Sequence, residues 1–224
     1  MEQTLCQNIL KNSLAVMFKI ICSLSVLLFV FGFNSIANAD ECSVYKTVPQ
    51  IKINIPDWDV DVTQPKQPMD LLHGNVVATL VNNYDIVADI NSIEDGYCVG
   101  LKAVDATIGY TDFLVKIDNR HHPKTCSYKA ILAHENKHIE AYLSVIDDYE
   151  KELYESLYSA ANSIMPIFVK EQSDIYKTID KLNNELQSHP NIILMMQKIH
   201  ATEEINNKNI DQQEDYSELK KCLK

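Results

Sequence analysis

His134, Glu135 and His138 have the types and spacing of two metal ligands flanking a proton carrier. In the run His134-Glu135-Asn136-Lys137-His138 the imidazoles are four residues apart. On a helix that spacing leaves them about 40° apart around the axis, so both can reach one ion. Neutral imidazole suits Zn2+, and three protein ligands with one open position make a catalytic zinc site. Glu135 is turned about 100° from His134 and cannot be the third ligand. It can instead take a proton from an attacking water and hand it to a leaving amine.

The H-E-x-x-H pattern alone is moderately specific, and helix phase tests it independently. With His134 at 0°, the apolar residues Ile131, Leu132, Ile139, Tyr142, Leu143, Ile146, Tyr149 and Leu153 fall between about 60° and 180°. Asn136, Lys137, Glu140, Asp147 and Lys151 fall on the far side. The histidines therefore lie at the edge of the buried face and Glu135 within it, which predicts a cleft against another element. The competing reading is a pair of core-edge histidines beside a paired glutamate. An inward carboxylate lacking a metal or cationic partner would be costly, which weighs against it.

Phase also bears on the third ligand. Glu140 points away. Tyr142, one turn past His138, is on the correct face and could contact the metal or substrate, although ordinary core packing is the plainer reading. His121 and His122 precede the helix on a loop that could fold back. His200, Glu203 and Glu204 lie on a later helix, where the competing readings are a solvated charged face and a surface histidine. The choice among these six stays open.

The helix must be held by the rest of the chain. Residues Ile20 to Phe33 are an unbroken apolar run after Lys11 and Lys19, followed by Ala37-Asn38-Ala39. These are the basic, apolar and cleavage regions of a signal peptide, predicted over 1–39; Met17 would also begin a more ordinary signal. The run is short for a membrane span, which needs about 20 residues. The predicted product is exported, periplasmic or secreted, with no membrane span left after cleavage. Beyond the signal stand Cys42, Cys98, Cys126 and Cys222, none in a CxxC pair. In an oxidising compartment they read as two disulfides, and of the three pairings we favour Cys42–Cys98 with Cys126–Cys222.

From Val44 to about Asp118 the chain reads as strands. Ile51, Ile53 and Ile55 alternate with polar residues. Val76 to Val81 and Ile86 to Ile90 flank a turn at Asn82–Asp85, and Tyr97 to Ile108 and Phe113 to Ile117 flank a hairpin at Gly109–Asp112. A proline-rich loop precedes a short helix at Met69 to His73. Trp58, the only tryptophan, reads as a core or loop anchor. After Pro123, Thr125 or Ser127 caps a helix through the motif to about Ala161. A second helix is predicted to begin near Pro166 and to bury Ile175, Ile179, Leu182 and Leu186. His189-Pro190 breaks it and a third starts at Ile192. The apolar stripe ends at Ala201, so the last two dozen residues are predicted to be exposed or frayed unless Cys222 ties them down. The fold class is α+β: a small antiparallel sheet on a long HExxH helix, with a zincin-like domain over 40–162 and a helical extension over 163–224.

The order of a cysteine-bearing strand (YCVGLKAVDATI), a second strand (FLVKID), a proline loop and TCSYKAILAHENKHIEAY resembles predicted secreted zinc-dependent proteases of a family of otherwise unknown function. The resemblance spans roughly Tyr97 to Tyr142. It implies His134 and His138 as zinc ligands and Glu135 as the catalytic acid/base. The chain departs from the family at Lys137, where such helices often carry glycine. In zincin-type proteases generally an edge strand aligns the substrate, and by that analogy Phe113 to Ile117 would do so.

Composition narrows the partners. A chain of 224 residues, 46% hydrophobic with five glycines and seven prolines, can bury a core. A net charge of −11 argues against nucleic acid or an anionic membrane as partner. The leading expectation is an exported zinc metallopeptidase acting on a protein or cell-wall peptide. The rivals are a non-catalytic periplasmic metal-binding protein and an envelope interaction protein whose motif is incidental.

Overall fold

The computed structural model describes residues 41–69, 73–213 and 217–222. The expected signal peptide lies outside the described residues, as do 70–72 of the helix expected at Met69 to His73. The chain divides into two compact units, Met1–Val44 and Tyr45–Lys224, and the second carries the sheet and all the helices named here. Among the described residues no helix is long and apolar enough to cross a membrane.

Among the described residues five strands form one sheet packed against helices: β1 (Gln50–Asn54), β2 (Asp59–Thr63), β3 (Gly74–Ile93), β4 (Gly96–Ile117) and β5 (Ile167–Val169). β4 is the central strand. β3 runs antiparallel along the whole of one edge. The other edge takes β5 antiparallel at Tyr97–Val99, then β1 and β2, both parallel to β4. The sheet is therefore mixed.

Neither turn expected inside this region exists. Asn82–Asp85 lies within β3 and Gly109–Asp112 within β4, and the chain reverses instead at Glu94-Asp95, before Gly96. Polar residues at Asn83 and Asp85 face outward while Tyr84 is buried. A composition that suggests a turn is here the exposed phase of a half-buried strand. Twenty-odd residues of strand keep one face on the core because two bulges reset the phase. Leu101 and Val99 are buried at odd positions, Val104, Ala106, Ile108 and Tyr110 at even ones, and Phe113, Val115 and Ile117 at odd ones again. The register shifts opposite Val87/Ala88 and Thr79/Leu80 leave Lys102 and Thr111 as the extra residues. Gly109, at φ +152°, sits where β1 gives way to β2, and a Cβ there would be 2.7 Å from Pro56 Cδ.

Thr125 caps α1 (Cys126–Ser163), its hydroxyl accepting from the Tyr128 N–H at 3.3 Å. Ile131, Ile139, Val145, Ile146, Leu153 and Leu157 of α1 are buried and join the core with the sheet. Pro166 does not open a helix. It leads into β5, whose Ile-Phe-Val run pairs with Tyr97–Val99, and β-branched and aromatic residues favour that edge. α2 (Ile175–Gln187) buries Ile175, Thr178, Leu182 and Leu186. α3 (Pro190–Gln213) opens on its proline rather than at Ile192, and α4 (Ser217–Cys222) ends the described chain.

The helical region folds back on α1. Side chains join Ser163 to His189, Ser159 to Asn191, Glu152 to Lys198 and Tyr149 to Thr202. The two numbers in each pair rise and fall in opposition, so α1 and α3 are antiparallel with β5 and α2 looped out between them. Cys126–Cys222 is a disulfide with Cα atoms 5.4 Å apart, joining the start of α1 to α4. The expected pairing of these two is therefore present, and Cys42 and Cys98 are also disulfide-bonded.

Candidate metal centre

The helix phase read from the sequence holds. His134 and Glu135 are buried, His138 is 12% exposed at its side chain, and Glu140 and Lys137 face out. The two Nε2 atoms of the histidines are 3.2 Å apart. Asp211 Oδ1, from the last turn of α3, stands 3.3 Å from each. The three donor atoms form a nearly equilateral triangle. Tetrahedral zinc with bonds of about 2.0–2.1 Å spans about 3.3–3.4 Å between ligand atoms, so this triangle fits one face of that tetrahedron. Among the described residues no other set of three His, Cys, Asp or Glu side chains meets metal-ligand distances.

Asp211 was not among the six residues expected as third ligand, and none of those six is in the triangle. Tyr142 lines the cleft but packs its ring on Tyr110, with centroids 5.1 Å apart, and on Phe113. His121 is buried beside His73, with ring nitrogens 3.1 Å apart. His122 and Glu204 are exposed. His200 is exposed and lies 3.2 Å from Glu203, while Glu203 is buried and accepts the Tyr110 hydroxyl. The sequence did hold a signal for Asp211. Ile192, Met195 and Ile199 form the buried stripe of α3, and Glu203, Asn207 and Asp211 continue it at four-residue steps. The stripe turns polar where it meets the site, most of the described residues beyond Ala201 are exposed, and the Cys126–Cys222 disulfide ties down the end of the segment.

A cleft of about 230 Å³ opens beside the triangle, lined by Gly74, Asn75, Val76, Glu135 and Tyr142 together with His134, His138, Asn207 and Asp211. Glu135 lies against the start of β3, where a Cβ on Gly74 would be 3.0 Å from Glu135 Cδ. Burial pushes the Glu135 carboxyl up to about 7; His134 opposes this and Asp211 adds to it. A bound divalent cation would pull the value back down. His138 Nδ1 is 2.7 Å from Asn207 Oδ1, and Asn207 Nδ2 donates to the Glu203 carbonyl at 2.9 Å.

The strand beside the cleft is β3. Phe113–Ile117 pairs with β3 on one side and β2 on the other, so its edges are filled and it cannot align a peptide. The outer edge of β3 has no strand partner among the described residues. Trp58 stands half exposed, edge-on to Phe113 with centroids 5.9 Å apart. Searches against protein-family models, curated proteins and solved structures find no match to this chain.

Proposed function

We propose that this chain is an exported zinc-dependent metallopeptidase. The observation that carries the reading is the triangle of His134 Nε2, His138 Nε2 and Asp211 Oδ1, with sides of 3.2–3.3 Å and Glu135 buried at its flank. A zinc ion held by these three would supply Lewis acidity and lower the pKa of a water. Three protein donors beside an open cleft favour a catalytic centre over a structural one, which would close on a fourth ligand.

The remaining work falls to side chains and backbone. Glu135 takes the proton of the attacking water and returns it to the departing amine nitrogen. Its burial keeps that proton exchange out of bulk water. Gly74, Asn75 and Val76 of β3 line the cleft, and a strand with no second strand partner among the described residues suits an extended peptide laid alongside. Disulfide-bonded cysteines fit an oxidising, exported setting.

The test is zinc content and peptide cleavage measured on the same preparations of full chain. Wild type should carry about one equivalent of zinc and cut peptides. Glu135→Gln should keep the metal and lose about 10²–10⁴-fold in rate. Asp211→Ala should lose the metal. Wild-type protein without zinc, or a Glu135→Gln variant of full activity, would end this reading.

A further inference from the structure

We propose that Asn207 is a positioning residue for the metal centre, orienting the His138 ring from α3 and presenting its Nε2 lone pair to the ion; this rests on the metal-centre reading above. Hydrogen-bond roles around Asn207 permit one arrangement. Its Nδ2 lies 2.9 Å from the Glu203 carbonyl oxygen, which only accepts, so the amide nitrogen must face that carbonyl. The amide oxygen then faces His138 Nδ1 at 2.7 Å. That oxygen also only accepts, so the proton of neutral His138 sits on Nδ1 and the lone pair on Nε2. Nε2 is the atom in the triangle with His134 and Asp211.

The helix that carries Asn207 is itself held in register on this face. Glu203, one turn before, accepts the hydroxyl of Tyr110 from β4. Asp211, one turn after, supplies the carboxylate of the triangle. Asn207 thus stands between a bond to the sheet and a ligand, with both of its side-chain ends engaged. An outer partner of this kind sets ring orientation and ligand basicity, and its loss costs about 10–100-fold in metal affinity.

The experiment is zinc affinity of the full chain at pH 7, by competition with a chromogenic chelator, for wild type, Asn207→Leu and Asn207→Asp. Leucine keeps the size and removes the acceptor; aspartate keeps an acceptor oxygen toward His138 and removes the donor. The expected result is zinc binding about 10–100-fold weaker for Asn207→Leu. Asn207→Asp should bind within about threefold of wild type, or tighter. Far-UV circular dichroism of the zinc-free variants should match wild type. A packing role alone would weaken both variants alike, and that result overturns the proposal. So does an Asn207→Leu variant that binds zinc like wild type. Wild type that takes up no zinc would overturn the metal-centre reading and this inference together.

Discussion

Replacing Gly74 by alanine adds one methyl group to the wall of the cleft and tests where Glu135 stands. The new carbon would be 2.7 Å from Ile131 Cγ2 and 3.0 Å from Glu135 Cδ. Ordinary carbon–carbon contact lies near 3.5–4.0 Å, so the neighbours must give by at least about 0.5–0.8 Å. Neither has slack: Ile131 is 2% exposed and Glu135 3%. Gly74 is also paired with Ile117 at the start of β3, which limits backbone relief. Overpacking of this kind costs about 1–3 kcal/mol, or a fall of about 2–12 °C in melting temperature for a chain of this size. A base moved by about 1 Å can cost about 100-fold in rate. The assay is cleavage of a denatured protein mixture read by mass spectrometry, with zinc content measured alongside. On the proposed function, Gly74→Ala should bind zinc as wild type does, because the methyl group is aimed at Ile131 and Glu135 and not at the three donors. Wild-type rate and melting temperature in this variant would refute the placement of Glu135 against β3.

Two further outcomes follow from other parts of the molecule. Cys126→Ser with Cys222→Ser opens a crosslink across a sequence separation of 96. Chain entropy gives an upper value of about 4.7 kcal/mol, so zinc-free protein should unfold at markedly lower guanidinium. A midpoint equal to wild type would show that the bridge constrains nothing. Asp118 is buried and accepts from the Arg120 side chain and N–H and from the Met69 N–H. The Arg120 hydrogen bonds hold its carboxyl well below the usual range, against the opposing effect of burial. A lowered native pKa gives stability that is complete above the unfolded value of about 3.9 and lost as pH falls through the native one. Asp118→Asn should therefore be less stable than wild type at pH 7, with the gap narrowing below about pH 4 in thermal melts. A gap that does not change with pH would contradict the assignment.

The HExxH helix was legible because two independent periods agreed on it: the four-residue ligand spacing and the 100° apolar phase around Ile131, Ile139 and Ile146. The capping threonine and the alternating Ile51 and Ile53 were local signals of the same kind. In the strands local composition and period point different ways. Asn82–Asp85 and Gly109–Asp112 contain turn-forming residues, yet pairing with a long neighbour held both in extended form. Thr111 and Lys102 could not be recognised as bulges without knowing what lay opposite them. Asp211 escaped for a different reason. Hydrophobic periodicity finds a packed face only while that face is apolar, and on α3 that face turns polar at Glu203 and Asn207 and reaches the surface at Asp211, whose side chain is 59% exposed. Carrying the phase of Ile192, Met195 and Ile199 past the last apolar residue would have reached it. The antiparallel register with α1 that brings Asp211 to His134 depends on β5 and α2, whose course no local pattern gives.

That register also orders events in time. His134 and His138 belong to one helix and are neighbours as soon as it forms, but Asp211 reaches them only once α3 lies back along α1. Contacts of such long sequence separation form late, because loop-closure entropy is lost before they repay it. The complete donor set is then a property of the finished fold. An ion that prefers three donors to two binds the native chain over its precursors, and at a thousand times its dissociation constant adds about 4 kcal/mol by mass action. A chain in which α3 had not docked would hold the motif and lack the third donor of the proposed centre.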